Sequence, residues 1–233
     1  MSGLALAGRH LVIVGAASGI GQRCAVLAAS EGARLTLMDR GDMADGAGVI
    51  ARHRLDIASR AEVEAAFAGL DDVDAVVVTA AICPLDDWQA NDWDAAFDRV
   101  MDVNLRGSIN LARAALPLLA PRKGTLVLSG SVAGRMGGLV SSPHYLASKG
   151  GVHALVRWLA QKAAPQGVRV NAIAPGPVLT PMLEPERIDT ARIPLGRCAE
   201  PDEIAWPLLF LASARASYIS GAVLDVNGGF HVS

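Results

Sequence analysis

The chain is short of cysteine and of any excess of one charge, and each shortage excludes something. Cys24, Cys83 and Cys198 are odd in number and widely scattered over 233 residues. They have neither the paired spacing of a zinc site nor the density of a disulfide-stapled secreted fold, and a reducing, cytoplasmic compartment is expected. The histidines, His10, His53, His144, His153 and His231, show no i, i+4 ligand pairing, so no catalytic metal is predicted. Basic and acidic residues number 21 and 23, interspersed, for a net charge of -2. That leaves no electrostatic footprint for nucleic acid or an anionic membrane. No apolar stretch reaches the roughly 18 residues that a membrane span needs. Residues 4–17 imitate a secretory signal, but they lack a basic start and run directly into a glycine turn, so a buried first strand explains them better. Internal repeats and low-complexity tracts are missing too.

What is present is apolar. Hydrophobic residues make up 52% and charged residues 19%, the composition of a core-rich globule with apolar surface left for burial between subunits. The length suits one α/β domain over residues 1–233, not two of ordinary size.

Leu11 to Val14 form an apolar run that breaks into Gly15-x-x-x-Gly19-Ile20-Gly21 and then a helical pattern. Gly15 permits a tight reversal, Gly19 lets backbone approach a pyrophosphate, and Gly21 lets the helix pack on the strand. The helix start offers free N–H groups and a positive dipole end. A second strand, Arg34 to Met38, ends in Asp39, about where an acidic residue would hold a ribose hydroxyl.

Further strands are expected at Val49 to Ile57, Asp74 to Thr79, Gly124 to Ser129, Val168 to Ile173 and Ala222 to Val226. Helices are expected over residues 59–69, 91–120 (bent near Leu105-Arg106-Gly107), 143–164 and 201–213. Alternation of this kind predicts an α/β, Rossmann-type doubly wound parallel sheet of about seven strands with helices on both faces. The Pro-interrupted stretch at about 179–197 suits a short flap over a site.

Tyr145 and Lys149 stand four apart near the start of the helical pattern over 143–164, so phenol and ammonium share a face. A cation there is expected to draw the phenol down from about 10 toward neutrality, making Tyr145 a general acid or base.

Taken in order, Gly15-x-x-x-Gly19-Ile20-Gly21, Asp39, Asp56-Ile57, Asp102-Val103-Asn104, Ser131-Val132-Ala133-Gly134, Tyr145-x-x-x-Lys149, Arg169 to Gly176, Pro194 to Arg197 and Gly221 to Gly229 make the chain resemble the short-chain dehydrogenase/reductase (SDR) family over nearly its whole length. The resemblance implies a nicotinamide-dependent oxidoreductase with a catalytic tetrad of Asn104, Ser131, Tyr145 and Lys149. In that scheme Tyr145 exchanges a proton with the substrate oxygen and Ser131 donates to that oxygen. Lys149 tunes Tyr145 and holds the nicotinamide ribose, and Asn104 anchors a water leading to Lys149. The implied cofactor contacts are Gly15, Ser18, Gly19, Ile20 and Gly21 in the turn, Asp39 and Arg40 at the ribose, Asp56 and Ile57 at the adenine, Ala80 and Ala81 against the backbone, and Tyr145, Lys149, Pro175, Gly176, Val178 and Thr180 at the nicotinamide. A homotetramer, or else a dimer, is implied, with residues 91–120 and 143–164 pairing across a two-fold axis.

Asp39 favours NAD, because the 2′-phosphate of NADP would meet a like charge; Arg40 leaves NADP possible. Two motifs depart from the family pattern. Val14 replaces the usual Thr before the first glycine, and Val78-Thr79-Ala80-Ala81 replaces Asn-Asn-Ala-Gly, removing side-chain hydrogen bonds that brace the sheet. Met136, Leu139, Val140, Met182 and Leu183 are expected to wall the substrate end, with few charges beyond Arg135 and Glu184. His144 beside Tyr145 and Cys83 after the fourth strand are placed where they could border the pocket, though a solvated His and a core Cys are the commoner outcomes. The favoured function is hydride transfer between NAD(H) and a neutral or weakly polar secondary alcohol or ketone. An NADPH-dependent 3-oxoacyl thioester reductase is the alternative within enzymes. A dinucleotide-sensing binding protein is the alternative from another class, and it would have no need of Tyr145 and Lys149.

Overall fold

A computed structural model describes residues 3–137 and 141–232, and of Arg187 the backbone only. Leu139 and Val140, expected at the substrate end, lie outside the described residues. Seven strands form one parallel sheet: β1 (His10–Val14), β2 (Arg34–Asp39), β3 (Val49–Arg54), β4 (Ala75–Val78), β5 (Thr125–Ser129), β6 (Arg169–Pro175) and β7 (Val223–Val226), in the spatial order β3-β2-β1-β4-β5-β6-β7. The order reverses between β1 and β4, which opens a crevice at the carboxyl ends of the strands, where open α/β sheets take their ligands.

Both faces are covered. Alternate residues of one strand enter opposite cores: Val12 and Val14 join Leu126 and Leu128 on one face, while Leu11 and Ile13 join Val127 on the other. The first core is closed by α2 (Arg60–Ala68), α4 (Gly107–Leu119) and α6 (Pro143–Ala163), through Phe67, Leu111 and Val156 among others. The second is closed by α1 (Gly19–Ser30) and α7 (Pro201–Ala212), through Leu27 and Leu208. A strand buried on both faces has no polar alternation, and β1 and β4 are buried at every residue.

Two details position the crevice. The helix expected over 91–120 is α3 (Trp93–Met101) joined to α4 by a π-helical turn at Asp102–Arg106. A wide turn of this kind often marks a functional position, and this one carries Asn104. The bracing thought lost with the altered β4 motif is partly restored, since Thr79 Oγ1 donates to the Val14 carbonyl at 2.9 Å and tethers the ends of β4 and β1.

Candidate active site

The turn after β1 is built on close approach. Gly15 has φ +91, and a Cβ there would lie 2.5 Å from Ala80 N, while a Cβ on Gly21 would collide with the Gly15 carbonyl. At the head of α1 the capping position, Ser18, has extended backbone and makes no side-chain cap, and the first turn carries no acidic residue. The helix therefore presents unneutralised N–H groups and its positive end beside the crevice, a donor set that fits a pyrophosphate.

Asp39, ending β2, accepts from Ala17 N through Oδ2 (3.0 Å) and from Gly41 N through Oδ1 (2.8 Å). Each oxygen keeps a further lone pair for a hydroxyl. The neighbouring Arg40 is exposed and, among the described residues, has no ion pair or hydrogen-bond partner. Asp56 accepts from Ala58 N at 2.9 Å, which fixes the turn that brings Ile57 to the same end.

At the other end β5 finishes at Ser129, and the following turn is tied to β6 by Gly130 N to Ile173 O (2.8 Å) and Val132 N to Pro175 O (2.9 Å). Between them Ser131 is buried, its Oγ accepting from Ala133 N at 3.1 Å. Tyr145 and Lys149 lie in the first two turns of α6. The Lys149 Nζ donates to the Ser129 carbonyl at 2.8 Å and sits 5.7 Å from the Tyr145 ring centre. The short helix α5 (Ala133–Met136) reaches α6 through Gly134, where a Cβ would lie 2.7 Å from the Lys149 carbonyl carbon.

Burial governs the charges. It pushes the Tyr145 phenol above its usual range, the nearby Cys83 adds to that, and the Ser131 hydroxyl opposes it. Burial also pushes the Lys149 ammonium down to about 8. The expected lowering of the phenol is therefore absent in the protein alone, because the cost of burying a phenolate dominates.

These parts surround one cavity of about 570 Å³, which runs from Asp39, Arg40, Asp56 and Ile57, past the glycine turn, to Ser131, Tyr145 and Lys149. A sequence profile described as Enoyl-(Acyl carrier protein) reductase matches residues 15–231. Galactitol 2-dehydrogenase (L-tagatose-forming) of Cereibacter sphaeroides is 41% identical over an alignment that covers 97% of this chain and 96% of that protein. The chain belongs to the short-chain dehydrogenase/reductase family. A 3-oxoacyl-[acyl-carrier-protein] reductase of Thermotoga maritima is 36% identical, covering 96% of this chain and 98% of that one. The structure of a 3-oxoacyl-[acyl-carrier protein] reductase of Brucella melitensis with bound NAD superposes with a TM-score of 0.89 at 30% identity, over 99% of this chain and 94% of that one. As an SDR the protein is an NAD(P)-dependent oxidoreductase of alcohols and ketones.

Every cofactor-contact position that the SDR motifs named lines this cavity, Ser18, Ala80, Ala81, Pro175, Gly176, Val178 and Thr180 included. Asn104 does not. It is buried one layer behind, with Nδ2 donating to Ile82 O (2.9 Å) and Ser148 Oγ (3.1 Å).

Other residues are placed differently from expectation. Arg135 pairs with Asp225 at 2.9 Å, and the Pro-interrupted segment adds two charges to the cavity lining, Asp189 and Arg192. His144 is buried, with Nε2 3.1 Å from Asp86 Oδ2 and its ring against Trp93. Cys83 is half-buried on the cavity wall, where burial raises its thiol above the ordinary range. Phe230, from the C-terminal segment, also reaches the cavity. Only its position after the Asn227-Gly228-Gly229 turn could have signalled that.

Proposed function

We propose that this SDR is an NAD-preferring secondary-alcohol dehydrogenase, working in reverse as a ketoreductase, with Tyr145 as the general acid and base. The observation that carries the reading is the convergence of Tyr145, Ser131 and Lys149 on one end of a cavity whose other end is the glycine turn and Asp39. When bound, the nicotinamide supplies the hydride acceptor or donor. Tyr145 Oη takes the hydroxyl proton of the alcohol or returns it to the forming alkoxide. The Ser131 hydroxyl, its own lone pair engaged by Ala133 N, donates to the same oxygen where charge develops. Lys149 and the ribose-facing Asp39 orient the dinucleotide. Asn104 acts from behind by holding the backbone at Ile82.

Residues 179–197 serve as the flap, beginning where Thr180 packs on Gly19. Met136, Met182 and Leu183 supply apolar wall, while Arg192 and Asp189 add polarity at the cavity. A polyol or hydroxylated ring fits that mixture, in keeping with the galactitol-oxidising relative. The three cysteines, all free thiols, favour a reducing cytoplasm. Exposed Ile109 on α4 and Trp158 on α6 favour a homo-oligomer, to be measured by size-exclusion chromatography with light scattering; a monomer refutes it.

Fluorescence titration with NADH and NADPH, followed by a panel of galactitol, cyclohexanol and 2-butanol with NAD, tests the function. Tighter NADH binding and turnover of a panel alcohol are expected. One observation favours a second reading, NADPH-dependent reduction of a 3-oxoacyl thioester: the exposed Arg40 beside Asp39, without a partner among the described residues, could meet a 2′-phosphate. Tighter NADPH binding, with acetoacetyl-coenzyme A as the better substrate, would establish that reading instead.

A further inference from the structure

Tyr145, Lys149 and His153 recur at intervals of four on α6 and so share one face of the helix. The first two are accounted for above; His153 is not. It is 5% exposed, behind the turn that carries Ser131. Gly130 and Val132, on either side of Ser131, donate their N–H groups to β6 carbonyls, but the Ser131 N–H donates to the imidazole Nε2 of His153 at 3.3 Å. A Cβ on Gly130 would collide with that ring nitrogen, so the glycine is what admits the imidazole. With Nε2 accepting, the ring proton is assigned to Nδ1.

We propose that His153 is a positioning residue: by accepting the Ser131 N–H it fixes the turn that sets the Ser131 hydroxyl against the Tyr145 phenol. The proposal rests on the acid–base reading of Tyr145 given above. Three contacts then hold Ser131: His153 at its N–H, Gly134 N at its carbonyl and Ala133 N at its hydroxyl oxygen. The remaining O–H is left to point where substrate oxygen would sit. Without His153 a buried N–H is orphaned, and the turn must shift to find another acceptor.

The surroundings keep the imidazole an acceptor. Burial is the main cause, and Arg135 from α5 with Lys149 and Arg157 from α6 also oppose a proton on His153; Asp225 from β7 favours one. Together they hold His153 down to about 4. Protonation would turn Nε2 into a donor facing a donor.

The test compares His153→Gln, whose amide oxygen reaches about as far as Nε2, with His153→Asn, which is too short, and His153→Leu, which cannot accept. Each is assayed with the panel alcohol that turns over fastest, with NADH affinity and melting temperature measured in parallel and Tyr145→Phe as control. His153→Leu and His153→Asn should lose roughly tenfold or more in kcat, as for a displaced catalytic group, with NADH affinity unchanged. His153→Gln should recover most of the loss. If His153→Leu does not fold, the Gln and Asn variants decide alone. Equal kcat in those two, or parental kcat in His153→Leu, overturns the positioning role. A Tyr145→Phe variant with parental turnover overturns the acid–base reading instead, so the two failures are distinct.

Discussion

Asn104 grips Ile82 at both polar ends of the residue: Oδ1 accepts from Ile82 N and Nδ2 donates to Ile82 O, each at 2.9 Å. The same amide also donates to Ser148 Oγ, which lies on α6 between Tyr145 and Lys149. One side chain therefore joins the π-helical turn, the segment after β4 and the helix of the proposed acid–base pair. Replacing it with Ala strands two main-chain groups. Asn104→Ala should cost roughly 2–4 kcal/mol in urea unfolding, from unsatisfied buried polar groups. It should also lower turnover, because Ile82 and Cys83 line the cavity. A stability change below about 1 kcal/mol would show that water replaces the amide.

Tyr145→Phe removes the phenolic oxygen and leaves the ring against the Lys149 stem. The fold and dinucleotide affinity should persist while kcat falls by roughly two or more powers of ten, the scale of a lost general acid or base. Stopped-flow or steady-state turnover with the best panel alcohol measures it, and unchanged kcat refutes the assignment.

Asp39 should act as the cofactor selector. Its carboxylate and a 2′-phosphate a few ångströms apart at an effective dielectric near 20 repel by several kcal/mol before salt screening, on the order of tenfold in binding per 1.4 kcal/mol. Asp39→Ser, leaving Arg40 in place, should therefore shift the NADH-to-NADPH affinity ratio toward NADPH by at least about tenfold. The same substitution frees Ala17 N and Gly41 N, so NADH affinity should fall as well. A ratio that does not move would mean that neither residue meets the ribose.

Local signals explain what was legible. The glycine turn, the apolar strands and the Tyr145–Lys149 interval each depend on short spacings, so the seven-stranded sheet and most of the cavity could be traced before any coordinates. Non-local facts were hidden. No spacing shows that β6 leaves the Ser131 N–H to His153, or that His144 is buried against Trp93 on Asp86. The Pro-interrupted segment 179–197 was legible as irregular, but its backbone has only brief 3-10 turns at Pro185–Arg187 and Thr190–Arg192, with no periodicity to aim Asp189 and Arg192 at the cavity. Burial also reversed the expected shift of the phenol, and burial belongs to the whole packed chain.

Lys149 is where that burial becomes measurable. Its folded-state pKa, about 8, lies below the 10.5 of an unperturbed lysine. The native protein thus binds this proton less tightly than the unfolded chain does. The associated stability is present above pH 10.5 and is lost as the pH falls through about 8, so at neutral pH the buried ammonium opposes folding. The difference corresponds to at most about 3 kcal/mol, offset by the hydrogen bond to Ser129 O. Lys149→Met should consequently melt no lower than the parent at pH 7, and its advantage should shrink between pH 8 and 10.5. Catalysis should move the opposite way. The ammonium supports the phenol only while protonated, so parental ketone reduction should decline above about pH 8. Lys149→Met should be slow throughout, with no inflection there. A variant that melts well below the parent at pH 7, or keeps the inflection near 8, would mean that another group titrates in the site.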